Sequence, residues 1–339
     1  MKEFVKKYWK NVVACIAFVT IFFLLFSHVQ NVFELKEGCY GKYDDYNNME
    51  KNSINVMFYG NSRTNRGLNP VIIDEISGTT SYNYGIQGLR ASNMYFRFID
   101  TLTTQNPQLI VLETSMYIPA KEHLMESHIQ RTVQSLPFSL LKIKAALEMG
   151  FDDKMKAELI MPLLRFHGRF REIDSVDFAY MMDLNPDFPY EGQYPDEVMA
   201  ESRGYMPYSV NREWEDNGKK YFTKDYSKIT DIAEPDETQD KYFKEMVRIA
   251  EEHGAKVLLL SIPSFVSNET PKETIPLMNY LRDFYKDDPN VQCLDICTMI
   301  KELGLGFSDY QNSGHLNLSG CRKLSEYIGN YIKENYSFK

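Results

Sequence analysis

VMFYGNSRTNRGLNP, Val56 to Pro70, is the stretch on which the reading turns. A continuous apolar run, Ile54 to Tyr59, has the composition of a strand covered on both faces. It stops at Gly60-Asn61-Ser62 and gives way to polar residues, so Ser62 stands where a strand tip hands over to a loop. Alone, that placement fits a nucleophile and a turn residue equally.

Working outward, strand and helix patterns alternate. Pro70 to Ile76 reads as a short helix opened by proline, and Ser81 to Tyr84 as a second strand. Ala91, Met94, Tyr95, Phe98, Ile99 and Leu102 then share one helical face, before the buried strand in PQLIVLETS. After residue 236 the alternation resumes. A helix ends at Gly254, AKVLLLSIP is another strand, a helix covers Leu277 to Tyr285, Val291 to Ile296 is a strand, and a terminal helix carries Leu324, Ile328 and Ile332 on one stripe. The pattern predicts an α/β fold, a three-layer α/β/α sandwich around a central parallel sheet. Residues 36–115 and 236–339 form its two parts, and 1–35 hold a cytoplasmic tail and an anchor. Residues 116–235, too long for a structureless loop, form a folded insertion or lid over the carboxyl ends of the strands, where open α/β sheets bind ligands. Its Tyr190, Tyr194, Tyr205, Tyr208 and Trp214 suit either core packing or a sugar-stacking platform.

The chain has 339 residues, 43% hydrophobic, enough for a sizeable core. A net charge of −9 leaves no basic footprint for nucleic acid. Lys2, Lys6, Lys7 and Lys10 precede Val12 to Phe26, an apolar run broken only by Thr20. With interfacial neighbours it approaches the ~20 residues a membrane-crossing helix needs. The lysines place the N-terminus inside and the remaining chain outside the cytoplasmic membrane. A cleaved signal peptide is the rival, but Ser27-His28-Val29-Gln30-Asn31 has no small-residue cleavage pattern. Lys36 and Glu37 do not suit a lipoprotein site at Cys39. Cys293 and Cys297 read as small buried hydrophobes. Neither a metal-ligand spacing nor a phosphate-cradling glycine loop with lysine is visible, so no cofactor is expected.

FSDYQNSGHLNLSG, Phe307 to Gly320, lies between the last strand and the terminal helix. His315 thus stands in a loop at the sheet edge where Ser62 ends the first strand, and a serine nucleophile needs a base within hydrogen-bond reach. Gly60-Asn61-Ser62, Gly85-Ile86-Gln87-Gly88 and His315-Leu316-Asn317, in that order on those elements, resemble the blocks of the SGNH (GDSL-like) hydrolase superfamily, over residues 54–115 and 236–335. Anchor, insertion and the His-Leu-Asn block are most similar to bacterial membrane-anchored members, akin to the teichoic-acid D-alanyl transfer protein and to envelope O-acyl esterases and transferases.

The resemblance implies Ser62 as nucleophile, His315 as general base and then acid, and the backbone N–H groups of Ser62 and Gly88 as oxyanion hole. It implies a glycan or teichoic-acid-like polymer as partner, and a multipass O-acyltransferase as a further one. Two positions depart from the family pattern. The third block's asparagine is replaced by Leu112-Glu113-Thr114-Ser115, as transferase-like branches tend to show. The acid three residues before the histidine is Asn312, with Asp309 the nearest carboxylate, so either orients the ring or a Ser62–His315 dyad acts alone. His28, His123, His128, His167 and His253 read as surface or packed residues. The expected function is an extracytoplasmic serine esterase or acyltransferase on envelope polysaccharide; the alternative is an inactive relative that binds glycan or aids envelope assembly.

Overall fold

A computed structural model describes residues 2–33, 40–117, 126–173, 203–206, 228–264, 270–312 and 314–338. Two compact units emerge: Gly38–Ser135 with Glu191–Lys339, which holds the sheet, and Met1–Glu37 with Leu136–Tyr190. The seam falls at Leu136, so the first part of the expected insertion belongs with the sheet. Residues 118–125, 174–202 and 207–227 of the expected lid lie outside the described residues.

The sheet unit opens with α2, Tyr40–Asn48, which the polar sequence did not announce. β1, Val56–Tyr59, leads into α3, Ser62–Gly67, and α4, Pro70–Ser77. Then come β2 (Ser81–Asn83), α5 (Ala91–Thr101), β3 (Leu109–Glu113) and α6 (Glu126–Val133). The helical unit contains α1 (Lys2–Phe33), α7 (Leu140–Met149), α8 (Asp153–Ile160) and α9 (Pro162–Phe166). The chain then supplies the sheet unit with α10 (Glu237–Glu252), β4 (Lys256–Ser261), α11 (Thr270–Phe284) and β5 (Val291–Asp295). A short hairpin, β6 (Tyr310–Asn312) and β7 (His315–Leu316), precedes the last helix α12, Leu318–Asn335.

All five long strands run parallel in the order β2-β1-β3-β4-β5. Alternation along the strands serves two covered faces. Val56 and Phe58 of β1, Leu109 and Val111 of β3 and Leu258 and Leu260 of β4 join Ile73 of α4 and Leu324, Ile328 and Ile332 of α12 in one core. On the other face Tyr59 packs edge-on against Phe98 of α5 and its hydroxyl meets Thr101 Oγ1 at 2.6 Å. α5 and α10 cover that face, with Phe243, Met246 and Val247 of α10 buried.

Two details position the site. Past the strand ends the β1–β2 pairing continues, Tyr84 N–H donating to Phe58 O (2.8 Å) and Ile86 N–H to Gly60 O (3.0 Å). This lays residues 84–88 alongside Gly60-Asn61-Ser62. Lys42 of α2 is buried beneath, and its ammonium donates to Asn65 Oδ1 (2.8 Å), Asn83 O (3.1 Å) and Gly85 O (2.5 Å). Three acceptors satisfy an ammonium's three donors, the condition for burying it.

Among the described residues Cys15, Cys293, Cys297 and Cys321 are free; Cys39 lies outside them. Cys297 is buried, and burial pushes the half-buried Cys293 thiol up to about 11, in keeping with an inert packing role. Tyr205 is buried, its environment shaped by Cys321, so it packs and offers no stacking face. Tyr190, Tyr194, Tyr208 and Trp214 lie outside the described residues.

Candidate active site

Ser62 opens a helix, where the sequence suggested a loop. Asn61 is the reason: in extended backbone at the N-cap, its Oδ1 accepts Arg63 N–H at 3.0 Å, taking one of the donors a first helical turn leaves free. Its Nδ2 donates to Ser115 Oγ at 2.7 Å, tying the turn that carries Ser62 to the end of β3. Ser62, first residue of α3, therefore keeps an N–H with no intrahelical acceptor beside its own hydroxyl.

His315 reaches Ser62 from the far side of the sheet. β5 is separated from β1 by β4 and β3, about 14 Å at ~4.8 Å per strand. The connection after β5 closes this distance, because α12 packs on α4 and carries the β6–β7 hairpin back to the β1 side. There His315 Nε2 lies 2.8 Å from Ser62 Oγ. Its Nδ1 lies 2.9 Å from Asn312 Oδ1.

The tautomer follows from a neighbour. Asn312 Oδ1 also accepts Gly314 N–H at 2.8 Å, and a backbone N–H can only donate. The atom facing His315 is thus the amide oxygen, Nδ1 carries the proton, and Nε2 is left to accept from the serine hydroxyl. His315 is half-buried; burial first, then the positive charges of Arg66 and Arg63, pull its pKa down to about 3. It is a neutral base throughout the physiological range.

Asp309 is occupied elsewhere. Buried, it accepts Gly306 N–H (2.7 Å), Ser319 Oγ–H (2.6 Å) and Lys323 Nζ–H (2.8 Å), fastening the connection to the first two turns of α12. Burial alone would raise its pKa, but Lys323, Ser319 and Gly306 together hold it below the ordinary carboxylate value. Of the two candidates for orienting the ring, Asn312 stands at Nδ1. Asp309→Ala is accordingly expected to lower stability by about 2–3 kcal/mol while changing turnover less than threefold, read by denaturant unfolding and an aryl acetate assay. Because the folded pKa is depressed, this contribution is full above the unfolded carboxylate pKa of ~3.9 and is lost as pH falls through the folded value.

Gly88 has φ +77, and a Cβ there would fall 2.3 Å from His128 Nε2. His128 of α6 therefore packs on the proposed oxyanion loop, a placement that nothing around it in sequence signalled. Burial first, then Arg131 and Arg90, lower its pKa. His167 and His253 are exposed, the side chain of His28 is not described, and His123 lies outside the described residues.

Where the superfamily pattern would carry an asparagine, Glu113 is fully buried and takes both Ser115 N–H (3.0 Å) and Ser115 Oγ–H. Burial raises its pKa against the pull of Arg63, Ser115 and Ile262 N–H. The chain Asn61, Ser115, Glu113 braces the turn from below.

Three guanidinium groups belong to the same edge. Arg66, one helical turn after Ser62 and so on its face of α3, donates to Gln311 Oε1 at 3.3 Å, next to Asn312. Arg90, the residue before α5, donates to Ser115 O at 3.3 Å. Arg63 Nη1 is buried with no hydrogen-bond partner. Arg63 and Arg66 were in the opening stretch, but a loop reading hid their i+1 and i+4 relation to Ser62. Among the described residues no cluster of three His, Cys, Asp or Glu side chains could hold a metal ion.

No family model and no curated protein matches the chain. A solved structure from Streptococcus pneumonia, provisionally described as a platelet activating factor, aligns over 94% of this chain and 99% of its own at TM-score 0.37 and 10% identity. At that degree of similarity it adds nothing to the geometry above.

Proposed function

We propose that this protein is a membrane-anchored serine acyl esterase or O-acyltransferase acting outside the cell on an envelope polysaccharide. The observation that carries it is the hydrogen-bonded series Asn312, His315, Ser62, at 2.9 and 2.8 Å, with the correct tautomer fixed at each joint.

In this reading Ser62 Oγ attacks the acyl carbonyl of an ester while His315 Nε2 takes the hydroxyl proton. The oxyanion is held by the N–H groups of Ser62 and Gly88, donors of a kind worth ~3–4 kcal/mol each. Collapse expels the sugar alkoxide, which receives the proton from Nε2, and leaves Ser62 acylated. Water or a second sugar hydroxyl then gives its proton to Nε2 and attacks the acyl carbon, and Ser62 Oγ leaves, taking that proton back from Nε2. Transfer from a multipass O-acyltransferase partner would use the same steps with that protein as donor.

A fluorophosphonate probe with peptide mapping on the full chain tests the reading. Adduct on Ser62 supports it; no adduct, or adduct elsewhere, favours the fold-retaining non-catalytic alternative, toward which the weak basicity of His315 points.

Arg63, Arg66 and Arg90 support an anionic polymer of the teichoic-acid kind, since Arg63 and Arg66 act on His315 and Arg90 stands near Arg63. Arg66→Gln is then expected to raise KM about tenfold for an acylated anionic oligomer, roughly 1.4 kcal/mol, and to leave KM for a neutral aryl acetate within twofold. Equal effects on both substrates would remove the anionic reading.

Retention of the N-terminal helix is supported by its far end. Lys7–Phe26 is a span of mean hydropathy 2.1, none of it buried. The helix continues to Phe33, and there Gln30 and Val32 are buried and Arg169 Nη1 donates to Phe33 O at 2.9 Å. A leader cut away near residue 27 would take folded structure with it. With the N-terminus inside, protease added to intact spheroplasts is expected to digest the domain; survival until the membrane is broken would reverse the orientation.

A further inference from the structure

The helical unit carries apolar surface that its own packing does not use. In α7 the residues at helical spacing, Lys142, Ala145, Ala146 and Met149, face inward and are buried. Leu140 and Leu147, seven apart and so on a common face, point outward, Leu140 being 85% exposed. Phe138, Phe151, Leu164 and Phe170 are exposed in the same segment. Apart from α1, only Ile232, Phe284 and Leu318 are large hydrophobic side chains of that exposure elsewhere among the described residues. Such a concentration marks a surface that something covers.

The end of α1 indicates what. Seven residues separate Phe26, where the apolar span ends, from Phe33, where Arg169 is hydrogen-bonded. At ~1.5 Å per residue that is about 10 Å. The headgroup layer on each side of the hydrocarbon is about 5–8 Å thick. The turn His167–Arg171 and α9, both packed on α1, are thus held at the outer margin of the headgroup layer, within side-chain reach of it. Residues 136–173 carry seven Lys and Arg against five Asp and Glu, so the acidic excess of the whole chain is not on this segment. Anionic headgroups would not be repelled from it.

We propose that the outer surface of residues 138–170 lies on the lipid bilayer beside α1, as an interfacial membrane-seating element. Its exposed leucines and phenylalanines enter the boundary between headgroups and acyl chains, as the apolar face of an interfacial helix does. This rests on the retained-anchor reading above. It gives part of the insertion a role other than covering the active-site edge.

The test is hydroxyl-radical footprinting of the unmodified full chain, one copy per phosphatidylcholine and phosphatidylglycerol nanodisc, read residue by residue by mass spectrometry. Leu140, Leu147, Phe151 and Phe170 are expected to label at least fivefold less than Ile232 and Phe284, whose exposure is similar. Protection of Val12 to Phe26 with full labelling of those four residues overturns the proposal and leaves the anchor standing. Labelling throughout Val12 to Phe26 overturns both. Protection that appears only in discs holding two copies also overturns it, by assigning the surface to a second copy of this chain.

Discussion

Asn312→Asp is expected to raise kcat/KM toward a neutral aryl acetate by ten- to a thousandfold at pH 8. In the serine proteases the opposite exchange costs about 10⁴ in turnover, chiefly through the wrong tautomer. Here the tautomer is already correct, because Asn312 Oδ1 faces Nδ1 and is fixed by Gly314 N–H. What the amide lacks is charge to stabilise the imidazolium once His315 has taken the serine proton. The pH profile should report this directly. With its pKa pulled down to about 3, His315 stays neutral in mild acid, so the wild-type rate has no histidine limb between pH 5 and 8. A carboxylate at 312 raises that pKa toward the ordinary ~6.5, so the gain is largest above the new value and shrinks as pH falls through it. A rate change under threefold with no new acid limb would leave a Ser62–His315 dyad as the machinery.

Gly88→Ala is expected to lower kcat by 10²–10³, the loss associated with one oxyanion donor, with KM within about threefold. Two costs meet at this position. A φ of +77 disfavours any residue with a Cβ, and that Cβ would lie 2.3 Å from His128 Nε2. Relieving either cost turns the 85–88 loop and with it the N–H proposed as an oxyanion donor. Adding His128→Ala separates them. If the double variant recovers most of the rate, the collision was responsible; if it does not, the backbone conformation was. A Gly88→Ala enzyme of wild-type kcat would mean that this N–H is not an oxyanion donor.

Strand content was legible because buried parallel strands leave an unbroken apolar record: VMFY, LIVLE and KVLLLS were read within two residues of their observed limits. So was the pairing of Ser62 with His315, since strand order and motif order bring both to one edge. What escaped was polar and short. α3 is held by an asparagine cap, α2 presents TyrGlyLysTyrAspAsp with no apolar stripe, and β6–β7 is a hairpin of a few residues around a bulge. None has the length over which periodicity accumulates. Choosing between Asn312 and Asp309 needed three dimensions as well. Both lie close to His315 in sequence, and only the hairpin register, Asn312 opposite His315, together with the Lys323 pairing of Asp309 assigns them.

Lys42 joins α2 to the turn that carries Ser62. It belongs to the helix that opens the sheet unit, yet its ammonium fastens Asn65, Asn83 and Gly85, next to Ser62 and Gly88. Trimming the chain anywhere between Asn48 and β1 would therefore remove a buried cation from under Ser62. If the chain is the anchored esterase proposed above, release by such a cut and loss of activity become one event, and a released form that kept its activity would have to be cut before Tyr40.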